Sequence, residues 1–271
     1  MRIERGQVAV ITGAAGGIGR GLAEEAGARG LRLVLSDVDP QRLAALTETL
    51  QGQGVDVASQ VADVGDLAQV ERLRDLAVAR FGGVDLLFNN AGVMQTGFSW
   101  EIEAERWQRL LAINLGGVVN GIRAFVPLLL DQQRPAQVVN TASLAGLVCS
   151  PMLGPYTVSK QAVVALSETL HYELATLQAQ VRVAVLCPGP VASDIMASNQ
   201  AASAATEPLD ALLDSSIRQG MDPRELAREV FAGIEAERFW LLPHKSFKPA
   251  LERRLASILD ETNPVFQMAD A

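Results

Sequence analysis

Residues 8–19 read VAVITGAAGGIG, an apolar run that ends in a glycine-rich turn and leads straight into a helical pattern. A continuously apolar run of that length suits a strand covered by helices on both faces. Strand, glycine turn and helix in direct succession bring unpaired backbone N–H groups and the positive end of a helix dipole to one point, which makes a phosphate site. The spacing is G-x-x-x-G-x-G, and Gly13, Gly17 and Gly19 lack side chains where a pyrophosphate would approach. It is not G-x-G-x-x-G, and no Lys-Ser/Thr pair follows as in a nucleotide-hydrolysing loop. Asp37 ends the second apolar run, about 20 residues beyond the glycines. A carboxylate there accepts hydrogen bonds from adenosine ribose hydroxyls and repels a 2′-phosphate.

From this start, β-branched runs alternate with longer helical patterns almost to the end of the chain. Strands are predicted over Val8–Thr12, Leu31–Ser36, Val55–Val61, Val84–Phe88, Gln137–Thr141, Val181–Leu186 and Phe239–Leu242. Helices are predicted over Ile18–Arg29, Pro40–Gln51, Leu67–Phe81, Glu103–Leu130, Pro155–Gln178 and Arg224–Glu237. Each spacer is long enough for the crossover helix that parallel strands need. The expected fold is α/β, a Rossmann-type doubly wound parallel sheet in a single domain spanning 1–271. A mobile insertion is expected at Ser193–Met221, where the pattern is weak and rich in Ala and Ser; residues 193–222 are read as a substrate lid.

The charge of −8 and pI near 4.9 disfavour nucleic acid or anionic lipid as a partner. The pair Arg253 and Arg254 reads as a solvated helix face. Cys149 and Cys187 imply no disulfide framework and a reducing compartment, the cytoplasm. Cys149, Cys187, His171 and His244 show no ligand spacing, so no metal is expected. No uncharged apolar run reaches the roughly 18 residues of a membrane span.

One further stretch needs explaining: YTVSK, residues 156–160, in a chain with two tyrosines and three lysines. Residues i and i+4 share a helix face, so the Lys160 ammonium can lie beneath the Tyr156 phenol. A free tyrosine titrates near pH ~10, and a neighbouring cation favours its phenolate.

TGAAGGIG, NNAG (89–92), Asn114, Ser143, YTVSK and PGPV (188–191), in that order, resemble the short-chain dehydrogenase/reductase family over Val8 to about Leu242. Ser143 lies 13 residues before Tyr156, as the family pattern requires. The resemblance implies hydride transfer between a nicotinamide cofactor and a carbonyl or alcohol, in a homodimer or homotetramer. It implies Asn114, Ser143, Tyr156 and Lys160 as the catalytic group, with Tyr156 moving the substrate proton and Lys160 also reaching the nicotinamide ribose. Gly13, Gly17, Ile18 and Gly19 would cradle the pyrophosphate, with Asp63 and Val64 beside the adenine and Asn90, Ala91 and Gly92 near the adenosine ribose. Pro188, Gly189, Val191 and Ser193 would meet the nicotinamide, Ser193 standing where the family often has threonine. Asp37, and Gly16 in place of a basic residue, favour NAD, although Arg42 is near enough in sequence to leave NADP open. A nucleotide-binding regulator without turnover is the alternative.

Residues expected to ring the substrate pocket are Met94, Gln95, Leu144 to Cys149, Met152 and Leu153. No arginine or lysine lies in these runs, so the expected substrate is a hydrophobic secondary alcohol or ketone. A homo-oligomer is expected through stripes that include Leu110, Leu111, Val118, Val163, Leu166 and Leu170.

Overall fold

The computed structural model describes residues 1–197, 199 and 206–266. Seven parallel strands stand in the order β3 (Val57–Val61), β2 (Arg32–Asp37), β1 (Val8–Thr12), β4 (Leu86–Asn89), β5 (Ala136–Thr141), β6 (Val181–Leu186), β7 (Trp240–Leu241). Strand order reverses between β1 and β4, which opens a crevice at their carboxyl ends. The side chains of β1 alternate between two cores. Ala9 and Ile11 join Leu22, Phe88, Leu226 and Phe231 on one face, while Val8 and Val10 join Leu73, Leu87, Phe125 and Leu129 on the other. All five β1 residues are buried, which is why the run needed no polar alternation.

Helices α1 (Gly17–Ala28) and α8 (Pro223–Glu235) pack on the first face; α3 (Leu67–Phe81) and α5 (Gly117–Asp131) pack on the second. Aspartates set several helix starts. Asp39 accepts from Gln41 N–H and Arg42 N–H at α2 (Pro40–Gly52), Asp66 from Ala68 N–H at α3, and Asp222 from Arg224 N–H at α8. Each satisfies backbone donors that a first helical turn leaves open.

The parallel sheet matches the sequence expectation, with strand ends shifted by a residue or two. Four features differ. The expected helix Glu103–Leu130 is α4 (Ala104–Leu111), a π-helical turn (Ala112–Gly116) and α5. By length and mean hydropathy Ala104–Asp131 could cross a membrane, yet Phe125, Val126 and Leu129 in it are core side chains here. In the expected mobile insertion the structure forms α7 (Glu207–Arg218), while 198 and 200–205 of the proposed lid lie outside the described residues. Beyond the last expected strand the chain adds α9 (Lys248–Leu259).

The apolar stripes assigned to an oligomer interface are mostly core. Leu110, Val118, Val163 and Leu170 are 4% exposed or less: Val118 of α5 and Val163 and Leu170 of α6 (Gly154–Thr176) join the cores, and Leu110 lies on α4, which packs on α6.

Candidate active site

The carboxyl ends of the strands open into one cleft of about 1640 Å³. Its floor at one end is the glycine turn. Gly13 has φ +62°, in the left-handed region, and a Cβ there would stand 2.7 Å from Ala91 Cα. A Cβ on Gly19 would overlap the Gly13 carbonyl oxygen, so Gly19 lets α1 close under the turn. Gly13, Gly17 and Ile18 line the cleft; Gly19 is buried behind them. The cradle therefore fits a dinucleotide pyrophosphate, which approaches backbone that no side chain shields.

Asp37 lies beside the turn, half-buried at the end of β2. It accepts from Ala15 N–H at 2.9 Å and Asp39 N–H at 3.1 Å, one on each oxygen. A carboxylate has about four lone-pair sites, so it can hold the turn and still accept from ribose hydroxyls. Arg42 does reach the cleft: a Cβ on Gly16 would stand 2.7 Å from its Nη2, and that nitrogen pairs with Asp194 at 2.9 Å. Asp63, Val64, Asn90, Ala91 and Gly92 line the adjoining wall. Asn90 ties three strands at this point, donating to Thr12 O at 3.0 Å and accepting from Thr141 Oγ1 at 3.3 Å.

Deeper in the cleft, α6 presents Tyr156 and Lys160, both buried. Lys160 Nζ lies 5.6 Å from the Tyr156 ring centroid and donates to Thr141 O, at the end of β5, at 2.9 Å. Burial brings the Lys160 ammonium down to about 8, with Cys187 pulling it back up. Burial also raises the Tyr156 phenol above its usual range, opposed by a hydrogen bond with the Ser143 side chain. From the sequence, Lys160 together with the charge of the oxidised nicotinamide is expected to lower the phenol; in the protein alone burial outweighs any such effect, and the neutral phenol is the form favoured. Burial drives the Cys187 thiol up to about 12, which leaves it inert.

Asn114 is fully buried inside the π-helical turn. Its side chain accepts from Val93 N–H at 2.8 Å and donates to Val93 O at 3.0 Å and Ser159 Oγ at 3.1 Å. It braces the strand-four loop against the turn of α6 that carries Lys160, with one Oδ1 lone pair left for a water. Pro188, Gly189, Val191 and Ser193 line the opposite wall.

Three groups at the cleft were not legible in the sequence. His244 Nδ1 accepts from Gly189 N–H at 3.0 Å, which places the ring proton on Nε2, 3.0 Å from Pro190 O. The ring thus brackets the Pro188–Val191 loop, a role with no sequence signal. α9 brings Arg253 and Arg254, and α4 brings Arg109, into the lining. The expected substrate-side runs carry no arginine or lysine, as read from the sequence, but the structure adds these three arginines from α4 and α9 to the lining. Among the expected substrate-side residues Met94, Leu144, Cys149, Met152 and Leu153 do line the cleft, while Gln95 turns inward and donates to Thr96 O.

Residues 7–204 match the family model described as short chain dehydrogenase. A "CLA biosynthesis dehydrogenase/reductase" of Lactiplantibacillus plantarum is 31% identical over 100% of this chain and 99% of its own. The crystal structure of a short-chain dehydrogenase/reductase from Burkholderia phymatum in complex with NAD superposes with a TM-score of 0.96, at 37% identity over 100% of both chains. An alcohol dehydrogenase from Thermococcus sibiricus, complexed with 5-hydroxy-NADP, gives 0.74 at 28% identity, over 87% of this chain and 95% of that one.

Proposed function

The chain belongs to the short-chain dehydrogenase/reductase family, and from that premise we propose that it is an NAD-dependent oxidoreductase interconverting a hydrophobic secondary alcohol and its ketone. The observation that carries the reading is the buried Tyr156, sharing the cleft with Ser143 and underlain by Lys160, at the end of a cleft that begins in a dinucleotide cradle.

A nicotinamide nucleotide bound in the cradle would supply the hydride acceptor in oxidation and the hydride donor in reduction. Tyr156 gives its proton to a ketone oxygen in reduction and takes the alcohol proton in oxidation. Ser143 donates a hydrogen bond to the same oxygen as charge develops there. Lys160, anchored on Thr141 O, holds a positive charge close to the Tyr156 phenol and would bind the nicotinamide ribose. Asn114 positions Val93 and the Ser159 turn and would hold a water linking Lys160 to solvent. On α7, Leu209, Leu212, Leu213 and Ile217 face the cleft, so closure of the 193–222 lid would exclude water from an apolar substrate. A cytoplasmic site of action fits two cysteines that form no disulfide.

Asp37 sets the preference for NAD, against Arg42 across the same space. The catalytic efficiency with NAD should exceed that with NADP, and Asp37→Ala should narrow the ratio about tenfold, a charge-assisted hydrogen bond being lost and a repulsion relieved. Steady-state assays with both nucleotides on a panel of secondary alcohols test this and the reaction together. Equal or better efficiency with NADP in the unmodified protein would refute the preference. No turnover of any alcohol or ketone would refute the reaction.

The reading includes a homo-oligomer, carried by a surface other than the core stripes. α9 buries none of its residues and leaves Leu255, Ile258 and Leu259 exposed, with Trp240 of β7 exposed as well. Light scattering at micromolar concentration should give two or four times the chain mass of 28.9 kDa. A mass of one chain would overturn it.

A further inference from the structure

Arg254 is half-buried on α9, and its Nη1 donates to the Leu147 carbonyl at 3.0 Å. Leu147 closes the 3-10 turn Leu144–Gly146, whose first capping residue is Ser143. Three other arginines near the cleft have their own carboxylates: Arg42 meets Asp194 at 2.9 Å, Arg218 meets Asp214 at 2.7 Å and Arg224 meets Glu24 at 2.5 Å, whereas Arg109, on α4 at the cleft lining, has no ion-pair partner among the described residues. Among the described residues Arg254 has no ion-pair partner, and neither has its neighbour Arg253; both line the cleft. Asp260 of the same helix end also lines the cleft and pairs with neither. A guanidinium carries five N–H donors, and a single backbone carbonyl leaves most of them unused. Partial burial of an uncompensated charge is costly without a counter-charge.

We infer that the substrate carries a carboxylate at the end remote from its reacting carbon, and that Arg254 binds it, with Arg253 adding to the local positive potential. The inference rests on the dehydrogenase reading and specifies its substrate class: an apolar hydroxy acid or keto acid. From Ser143 to Leu147 the chain advances four residues, roughly 8 Å at the 3-10 rise. Leu144, Val148 and Met152 give the same cleft apolar wall. Several carbons must therefore separate the carbinol from the carboxyl, which excludes a small 2-hydroxy acid. Planar carboxylate against planar guanidinium permits two parallel hydrogen bonds, and a neutral amide cannot reproduce them.

The probe is a matched pair, a medium-chain keto acid with its carbonyl several carbons from the carboxyl, and the primary amide of the same compound. Calorimetric binding to the NAD-saturated protein is measured alongside NADH consumption. The keto acid should bind about tenfold more tightly than the amide or better, the range expected for a hydrogen bond to a charged group. Arg254→Gln should remove that difference and leave amide binding unchanged; Arg254→Lys should retain part of it. Equal binding of the two compounds by the unmodified protein would overturn the inference, as would failure to bind the acid. An equal loss for both in Arg254→Gln would do so too, by making Arg254 only a strut for the Leu147 turn. Should Arg254→Gln not fold, the unmodified ratio and Arg254→Lys decide. Discrimination in binding with no NADH consumption from either compound would leave the anion site standing and sink the dehydrogenase reading.

Discussion

Tyr156→Phe is expected to lower turnover about 10³-fold, within the range that positioned general acids and bases contribute. Nucleotide affinity should stay close to that of the parent, because the ring and its packing remain and only the hydroxyl is lost. The pH dependence follows from the raised phenol. Oxidation needs the deprotonated form that burial disfavours, so its rate should climb as pH rises above neutrality; reduction uses the protonated form already favoured. Ser143→Ala removes the one contact that opposes the upward shift, and should displace the oxidation profile further towards alkaline pH. Turnover and nucleotide titration on the same preparations decide the matter, and near-normal turnover in Tyr156→Phe would sink the assignment.

Lys160→Met should remove both activities at once, turnover by about 10²-fold or more and nucleotide binding with it, since the ammonium serves the proton step and the ribose. It should also alter how stability depends on pH. The ammonium is brought down from 10.5 to about 8 by burial. Between those values the unfolded lysine holds a proton that the folded one lacks, so unfolding free energy rises with pH across that window. Between about pH 7 and pH 9 the gain from this group is about 1 kcal/mol. Cys187 acts in the opposite sense at higher pH: its thiol, raised from 9.0 to about 12, makes stability fall as the unfolded thiol ionises. Denaturant unfolding of parent and Lys160→Met at both ends of the lower window isolates the lysine term. A parent curve that fails to gain on the variant as pH rises would show that Lys160 is not buried as a charge.

What the sequence made legible was whatever a single chemistry demands. The run 8–19 has few uses other than a strand entering a phosphate cradle, and YTVSK places two functional groups on one face wherever a helix forms. Neighbouring apolar runs left the sheet no polar face to show. The remainder depended on long-range packing. Leu110, Val118, Val163 and Leu170 are apolar at helical spacing whether they face a sheet or a second subunit, and periodicity does not distinguish the two. α9 buries no residue fully and packs mainly Leu251 against the core, so its pattern never rose above that of a solvated helix, and Arg253 and Arg254 read as surface charge. The bond from Arg254 to Leu147 crosses 107 residues of chain. His244 reaches Gly189 over 55, a pairing no local motif signals.

The π-helical turn at Ala112–Gly116 has a consequence for how this protein tolerates changes in length. Such a turn holds one residue more than an α-helical one and absorbs it locally, so α4 and α5 keep the phase of one continuous rod. Deleting one residue of the turn would let the rod wind regularly and would close the wide turn without rotating one end against the other. Leu110 lies in the regular helix before the turn and is buried, whereas Asn114 meets Val93 from within the wide turn itself. A regular helix would keep the first and lose the second. In this segment the residue count is therefore constrained separately from residue identity: conservative replacements at Ala112 or Leu115 leave the wide turn intact, whereas a one-residue deletion, however mild in composition, uncouples the Val93 loop from Ser159 and Lys160.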